Sequence, residues 1–166
     1  MKAADVFHVL FDPRGRINRK GLLILAVALL ALQLAALAAV VALGMAADSQ
    51  FAITLKVVFG WIALVAAIKR LHDTNRSGWW VFIAFVALIV WSIAVITVLM
   101  LAFGVSALQP GGAGHAAALV LTAAPTLAAA LWLHLVPGDL AENGYGPMPS
   151  AQGFARPEDP IEALAA

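Results

Sequence analysis

The sequence predicts an all-α integral membrane protein with four transmembrane helices, and three observations predict it. The chain is 63% hydrophobic and 11% charged, whereas soluble domains average about 45–50% apolar and about 25% charged residues. Four apolar stretches are each long enough to cross a bilayer. The cations between them fall almost wholly on one side of the resulting topology.

The first stretch is Gly21–Gly44, 24 residues with no charge and one amide, Gln33. It follows a polar head of 20 residues and exceeds the roughly 7–15 apolar residues of a cleaved signal, so it reads as a retained helix. Phe51–Ile68 follows, 18 residues with Lys56 near its start, then the uncharged 25-residue Trp79–Phe103. The fourth is His115–Val136, 22 residues with Pro125 inside it and His134 near its end. A hydrocarbon core ~30 Å thick is spanned by ~20 helical residues. With no water to take up backbone amides there, each span must be helical. Ala31, Ala35 and Ala39 make a small-residue stripe that favours close helix approach, and Ala124 and Ala128 hint at another. Pro125 lacks an amide donor and should kink its helix. Residues 1–149 read as one four-helix domain. Residues 150–166, rich in small and acidic residues, read as a disordered cytoplasmic tail.

Nine of the ten Lys and Arg residues lie before the first span, between the second and third, or after the fourth. The loops at 45–50 and 104–114 carry none. Because Lys and Arg collect on the cytoplasmic side, both termini and the 69–78 loop are expected to face the cytoplasm. Lys56, the tenth cation, lies about a turn and a half inside the second span, where it can snorkel outward. The absence of cysteine excludes disulfides, thiolate catalysis and zinc–thiolate sites.

This topology gathers three polar patches at one interface: "FDPRGRINRK" (11–20), "KRLHDTNRSGWW" (69–80) and "PGDLAENGYGPMP" (137–149). Locally, Gly15 allows a turn and Asn18 can cap the first span. Asp73 can pair with Arg70 or Arg76, residues 74–78 turn, and Trp79 and Trp80 seat the third span at headgroup level. Asn143 and Gly144 make a turn that leaves Tyr145 at the interface. If the patches meet, Arg16, Arg19, Arg70 and Arg76, with Ser77 and the Trp79 ring, form a basic pocket suited to a phosphate or an anionic headgroup. His72 would add a titratable group beside Asp73, and Asn143 and Tyr145 would complete the cluster. His115 and His134 lie 19 residues apart, ~28 Å along one helix, so they cannot share a metal within one chain. No metal site, cofactor motif, phosphate-binding loop or nucleophile elbow appears.

"GRINRKG", "IKRLHDTNRSGWW" and "NGYGPMP" together resemble the domain of unknown function 805 family, small bacterial inner-membrane proteins. The middle motif carries the closest likeness, from Arg70 through Trp80, and the resemblance spans residues 11 to about 149. It departs after Lys20, where the family carries an acidic or aromatic residue and this chain has Gly21, Leu22 and Leu23. The resemblance implies a membrane location and one unit built from the three patches. It implies no activity, cofactor or catalytic residue.

The expected function is therefore that of a non-enzymatic inner-membrane protein whose cytoplasmic cluster binds anionic lipid or a membrane-protein partner, a second copy included. Nucleic acid is not an expected partner. A small transporter or channel component is the first alternative, using Gln33, Lys56, Thr97, Thr122 and Thr126. The second is an enzyme acting on a lipid phosphate, with His72 as base and Asp139 or Glu142 as its carboxylate.

Overall fold

The structure is a computed structural model that describes residues 3–46, 48–150 and 153–155. Each expected span is a single helix: α2 (Arg19–Ala42), α3 (Gln50–Asp73), α4 (Trp79–Phe103) and α5 (Ala113–Leu135), preceded by the short α1 (Ala3–Phe11). Among the described residues, four helices are long and apolar enough to cross a membrane. The all-α class stands, with one small addition. β1 (Arg16–Ile17) pairs antiparallel with β2 (Phe154–Ala155), Arg16 opposite Ala155 and Ile17 opposite Phe154.

Three local expectations change. The polar head contains α1, where Phe7 stacks on Phe11 at 5.1 Å and Val6 and Phe7 are exposed. The second span does not stop at Ile68. Lys69–Asp73 form a last helical turn rather than a loop, because Lys69, Arg70 and Asp73 are buried with partners there. Thr74 caps that turn, its hydroxyl donating to Leu71 O at 2.9 Å, and Asn75 reverses the chain at φ 55°. Finally, the tail is not without structure from residue 150 on. Asn18 N donates to Gly153 O at 3.0 Å, and Asn18 Nδ2 donates to Ser150 O at 3.3 Å. Gly21 and Gly153 touch backbone to backbone; a Cβ on Gly21 would stand 2.9 Å from the Gly153 carbonyl carbon. The rest of the expected disordered tail, 151, 152 and 156–166 with Arg156, lies outside the described residues.

The chain divides into two units, residues 1–78 with 136–166, and residues 79–135. In the first, α3 packs against α1, α2 and β1. Asn18 caps α2 as expected, its Oδ1 accepting from Gly21 N at 2.9 Å. Ser49 caps α3, accepting from Ala52 N at 3.4 Å. The buried apolar residues concentrate toward one end of the α2–α3 pair: Leu22, Leu25 and Leu29 on α2, and Ile62, Val65, Ala66 and Leu71 on α3.

In the second unit, α4 and α5 pack together beside the 3₁₀ turn Val105–Leu108. Pro125 sits inside α5. Having no N–H, it cannot bond the carbonyl four residues back, that of Leu121. Trp91 on α4 supplies the donor instead, its indole N–H reaching Leu121 O at 2.8 Å. A carbonyl that the sequence orphans in an apolar helix is thus satisfied from the neighbouring helix, one of the ways in which an apolar helix tolerates an internal Pro.

Candidate functional site

The end of α3 gathers residues from all three polar patches. Arg16, Arg70 and Asp73 are among the largest fully buried side chains, at 0%, 0% and 2% exposure. Arg16 Nε and Nη2 donate to Asp73 Oδ1 at 3.3 and 3.1 Å, and Arg70 Nη1 donates to Asp73 Oδ2. Each carboxylate oxygen therefore faces its own guanidinium. The Arg70–Asp73 pair is three residues apart on one helix, a spacing that brings side chains together. Arg16 arrives from 57 residues away.

The remaining donors hold the chain that follows α5. Arg16 Nη1 reaches Ala141 O at 2.7 Å and Gly146 O at 3.2 Å, and Arg16 Nη2 reaches Asp139 O at 2.6 Å. Arg70 Nη2 donates to Val136 O. Asp139 N donates to Asp73 O at 2.7 Å. Gly138 lies where this segment crosses the carboxylate. A Cβ there would collide with the Asp73 carboxyl and stand 3.1 Å from Arg70 Nη1. Buried charges are tolerated when paired and hydrogen-bonded, and no described buried side-chain nitrogen or oxygen lacks a hydrogen-bond partner.

His72 and Asn143 extend the network. The His72 ring lies flat on Tyr145, centroids 4.0 Å apart and planes 5° apart. His72 Nδ1 is 3.2 Å from Gly15 O. A carbonyl only accepts, so Nδ1 carries the proton. That bond and the Tyr145 stack orient the ring, and among the described residues no carboxylate is hydrogen-bonded to it. Asn143 Nδ2 donates to His72 O at 3.0 Å and to Asp139 Oδ2 at 3.1 Å, while its Oδ1 accepts from Tyr145 N at 3.0 Å. The expected turn spans 143–146, closed by Gly146 N donating to Asn143 O at 3.0 Å.

Of the ten residues expected in the cluster, the structure brings six together: Arg16, Arg70, His72, Asp73, Asn143 and Tyr145. Arg19 and Arg76 are exposed, Ser77 is half-buried, and none of the three takes part in the hydrogen bonds around Asp73 described above. Trp79 belongs to the second unit, exposed and edge-on to Phe82 at 5.7 Å. The partner of Asp73 besides Arg70 is Arg16 rather than Arg76, because Arg76 lies past the αL turn at Asn75.

Three contributors had no signal in the sequence. Lys69, read only as an orienting charge, donates to His8 O at 2.8 Å and Val9 O at 3.1 Å, capping α1 at its C-terminal end. Gly138 follows Pro137 in a loop, yet a Cβ there would collide with the Asp73 carboxyl. Ile17, the second residue of β1, is fully buried. Near α1, Asp12 loses solvent, which pushes its carboxyl up. Hydrogen bonds from Arg14 backbone and side chain and from His8 outweigh this and hold it below its ordinary value.

Four membrane-length apolar helices, with a buried arginine–aspartate–arginine cluster at the end of one of them, define the class: a small all-α protein of the multi-pass membrane type. Residues 10–147 match the family described as "Protein of unknown function (DUF805)", and the chain belongs to that family. No curated protein and no solved structure matches it.

Proposed function

We propose that the protein is a non-enzymatic, multi-pass protein of the bacterial inner membrane, with both termini and the Asp73 cluster on the cytoplasmic side. In this reading the cluster is a clamp rather than a ligand pocket. It fastens the N-terminal segment and the chain after α5 to the end of α3, and so shapes a cationic face that meets anionic lipid headgroups. One observation carries this. The guanidinium groups of Arg16 and Arg70 are wholly buried and directed at Asp73 and main-chain carbonyls, whereas Arg19, Lys20 and Arg76 are exposed. Each such surface cation is worth ~1 kcal/mol near an anionic leaflet.

Native mass spectrometry from mild detergent tests the reading, comparing wild type with an Arg19→Ala, Lys20→Ala, Arg76→Ala triple variant. The expected result is retained anionic lipid in the wild type and its loss in a still-folded variant. Equal retention in both removes the lipid face. Cysteine residues introduced one at a time at Ser77 and Ser106, in a chain that has none of its own, test the orientation. Labelling of position 77 from outside intact cells would reverse it.

A further inference from the structure

The α2–α3 pair changes character along its length. Toward the clamp both helices bury their facing residues. In the other half Val40 and Ala52 are the buried pair, and a groove of ≈ 390 Å³ opens between the helices. It is lined by positions 33, 36, 37 and 40 of α2 and by six positions of α3 from 52 to 63. Those spacings of three and four describe one face of each helix. Leu37, Leu55 and Phe59 make apolar walls. Gly60 makes room: a Cβ there would meet nothing within 4 Å. The polar groups in this wall are the Gln33 amide and the Lys56 ammonium. Lys56 stands six residues from the start of α3, ~9 Å along the axis, which is within snorkelling reach of a headgroup region.

We infer that this groove is a lipid site: it takes one acyl chain of an anionic phospholipid, whose phosphate meets Lys56 and whose ester region meets Gln33. The volume falls in the range of small-ligand sites, ~300–1,000 Å³. The apolar walls suit a hydrocarbon chain. Lys56 is the one charged group in the lining, and it selects an acidic head over a neutral one by charge complementarity. The site lies at the other end of α2 and α3 from the clamp, so it engages the opposite leaflet. This inference rests on the proposed membrane placement of the two helices.

The test reconstitutes the full chain in vesicles doped with a phosphatidylglycerol that carries a photoactivatable diazirine in its acyl chain. Matched phosphatidylcholine and fatty-acid probes run in parallel, and the labelled peptides are mapped. Phosphatidylglycerol should label the 52–63 segment preferentially. Gly60→Leu, which fills the groove, should cut that labelling about tenfold, equivalent to one decade in Kd. Lys56→Gln should erase the preference for phosphatidylglycerol over phosphatidylcholine. Even labelling along all the apolar helices, unchanged by Gly60→Leu, overturns the site while leaving the membrane placement intact. No label anywhere overturns both. Labelling by the fatty acid alone overturns the phospholipid assignment. Disulfide formation between two copies bearing Ala63→Cys, with no lipid label, would show that a second chain fills the groove instead.

Discussion

The two units of this chain solve the same problem in opposite ways. Residues 79–135 contain no Asp, Glu, Lys or Arg. Two of its polar side chains bond back to their own helix: Thr122 donates to Ala118 O at 2.6 Å, and His134 Nδ1 bonds Ala130 O at 2.8 Å. Between α4 and α5, Trp91 reaches the carbonyl that Pro125 leaves open. The other unit carries the buried charges, and they join residues far apart in sequence, 57 between Arg16 and Asp73 and 125 between Arg16 and Ala141. One unit is a local hairpin whose surface suits lipid. The other is held by a long-range polar network at one end. The difference teaches that, within this apolar chain, charge is spent where the backbone leaves the helices and hydrocarbon can no longer decide how the chain runs.

The comparison is broken most directly at Asp73. Asp73→Asn leaves Arg16 and Arg70 buried without a countercharge, and removing one partner of a buried pair costs ~3–5 kcal/mol. Denaturant unfolding in detergent should show that loss, with hydrogen exchange rising at 139–146 and little change across 79–135. A loss below ~0.5 kcal/mol would mean that the cluster holds nothing together. Gly138→Ala comes next. Its methyl group would press on the Asp73 carboxyl, so a cost toward the upper end of the ~1–3 kcal/mol of overpacked sites is expected. The same 139–146 amides should open, and unchanged protection there would show that the segment can shift aside.

Lys69→Met sharpens the picture within the first unit. It removes a charged donor from His8 O and Val9 O, a bond of the kind worth ~1.5–3 kcal/mol. Deuterium uptake over 3–11 should rise while 139–146 stay protected. An α1 that keeps its protection would mean that Phe7 and Phe11 seat it unaided. The smallest effect belongs to the apolar unit. Trp91→Phe orphans Leu121 O and should cost ~0.6–1.7 kcal/mol, the range for single hydrogen bonds between membrane helices. Pro125→Ala restores the intrahelical donor, so in that background Trp91→Phe should cost much less. Additive losses in the double variant would separate Trp91 from the proline.

By itself the sequence determined the four long helices, though not the short α1 in the polar head. Long uncharged apolar runs admit one backbone solution in hydrocarbon, so their number and rough extents could be read directly. The Asn18 cap and the 143–146 turn were legible for the same reason, since each is settled within a few residues. The likeness of three short motifs to one family was legible too. What only the tertiary structure decided is which polar residues meet. Patches from the two ends of the chain converge on Asp73, and nothing local to Arg16 distinguishes it from Arg19 or Arg76. Its burial follows from β1 crossing the end of α3 and from the 136–146 segment closing over it. The same holds for Gly138 and Lys69: their roles depend on chain passing close to them from 60 or more residues away. Periodicity and propensity are local quantities; a buried ion cluster is set by the packing that brings its members together.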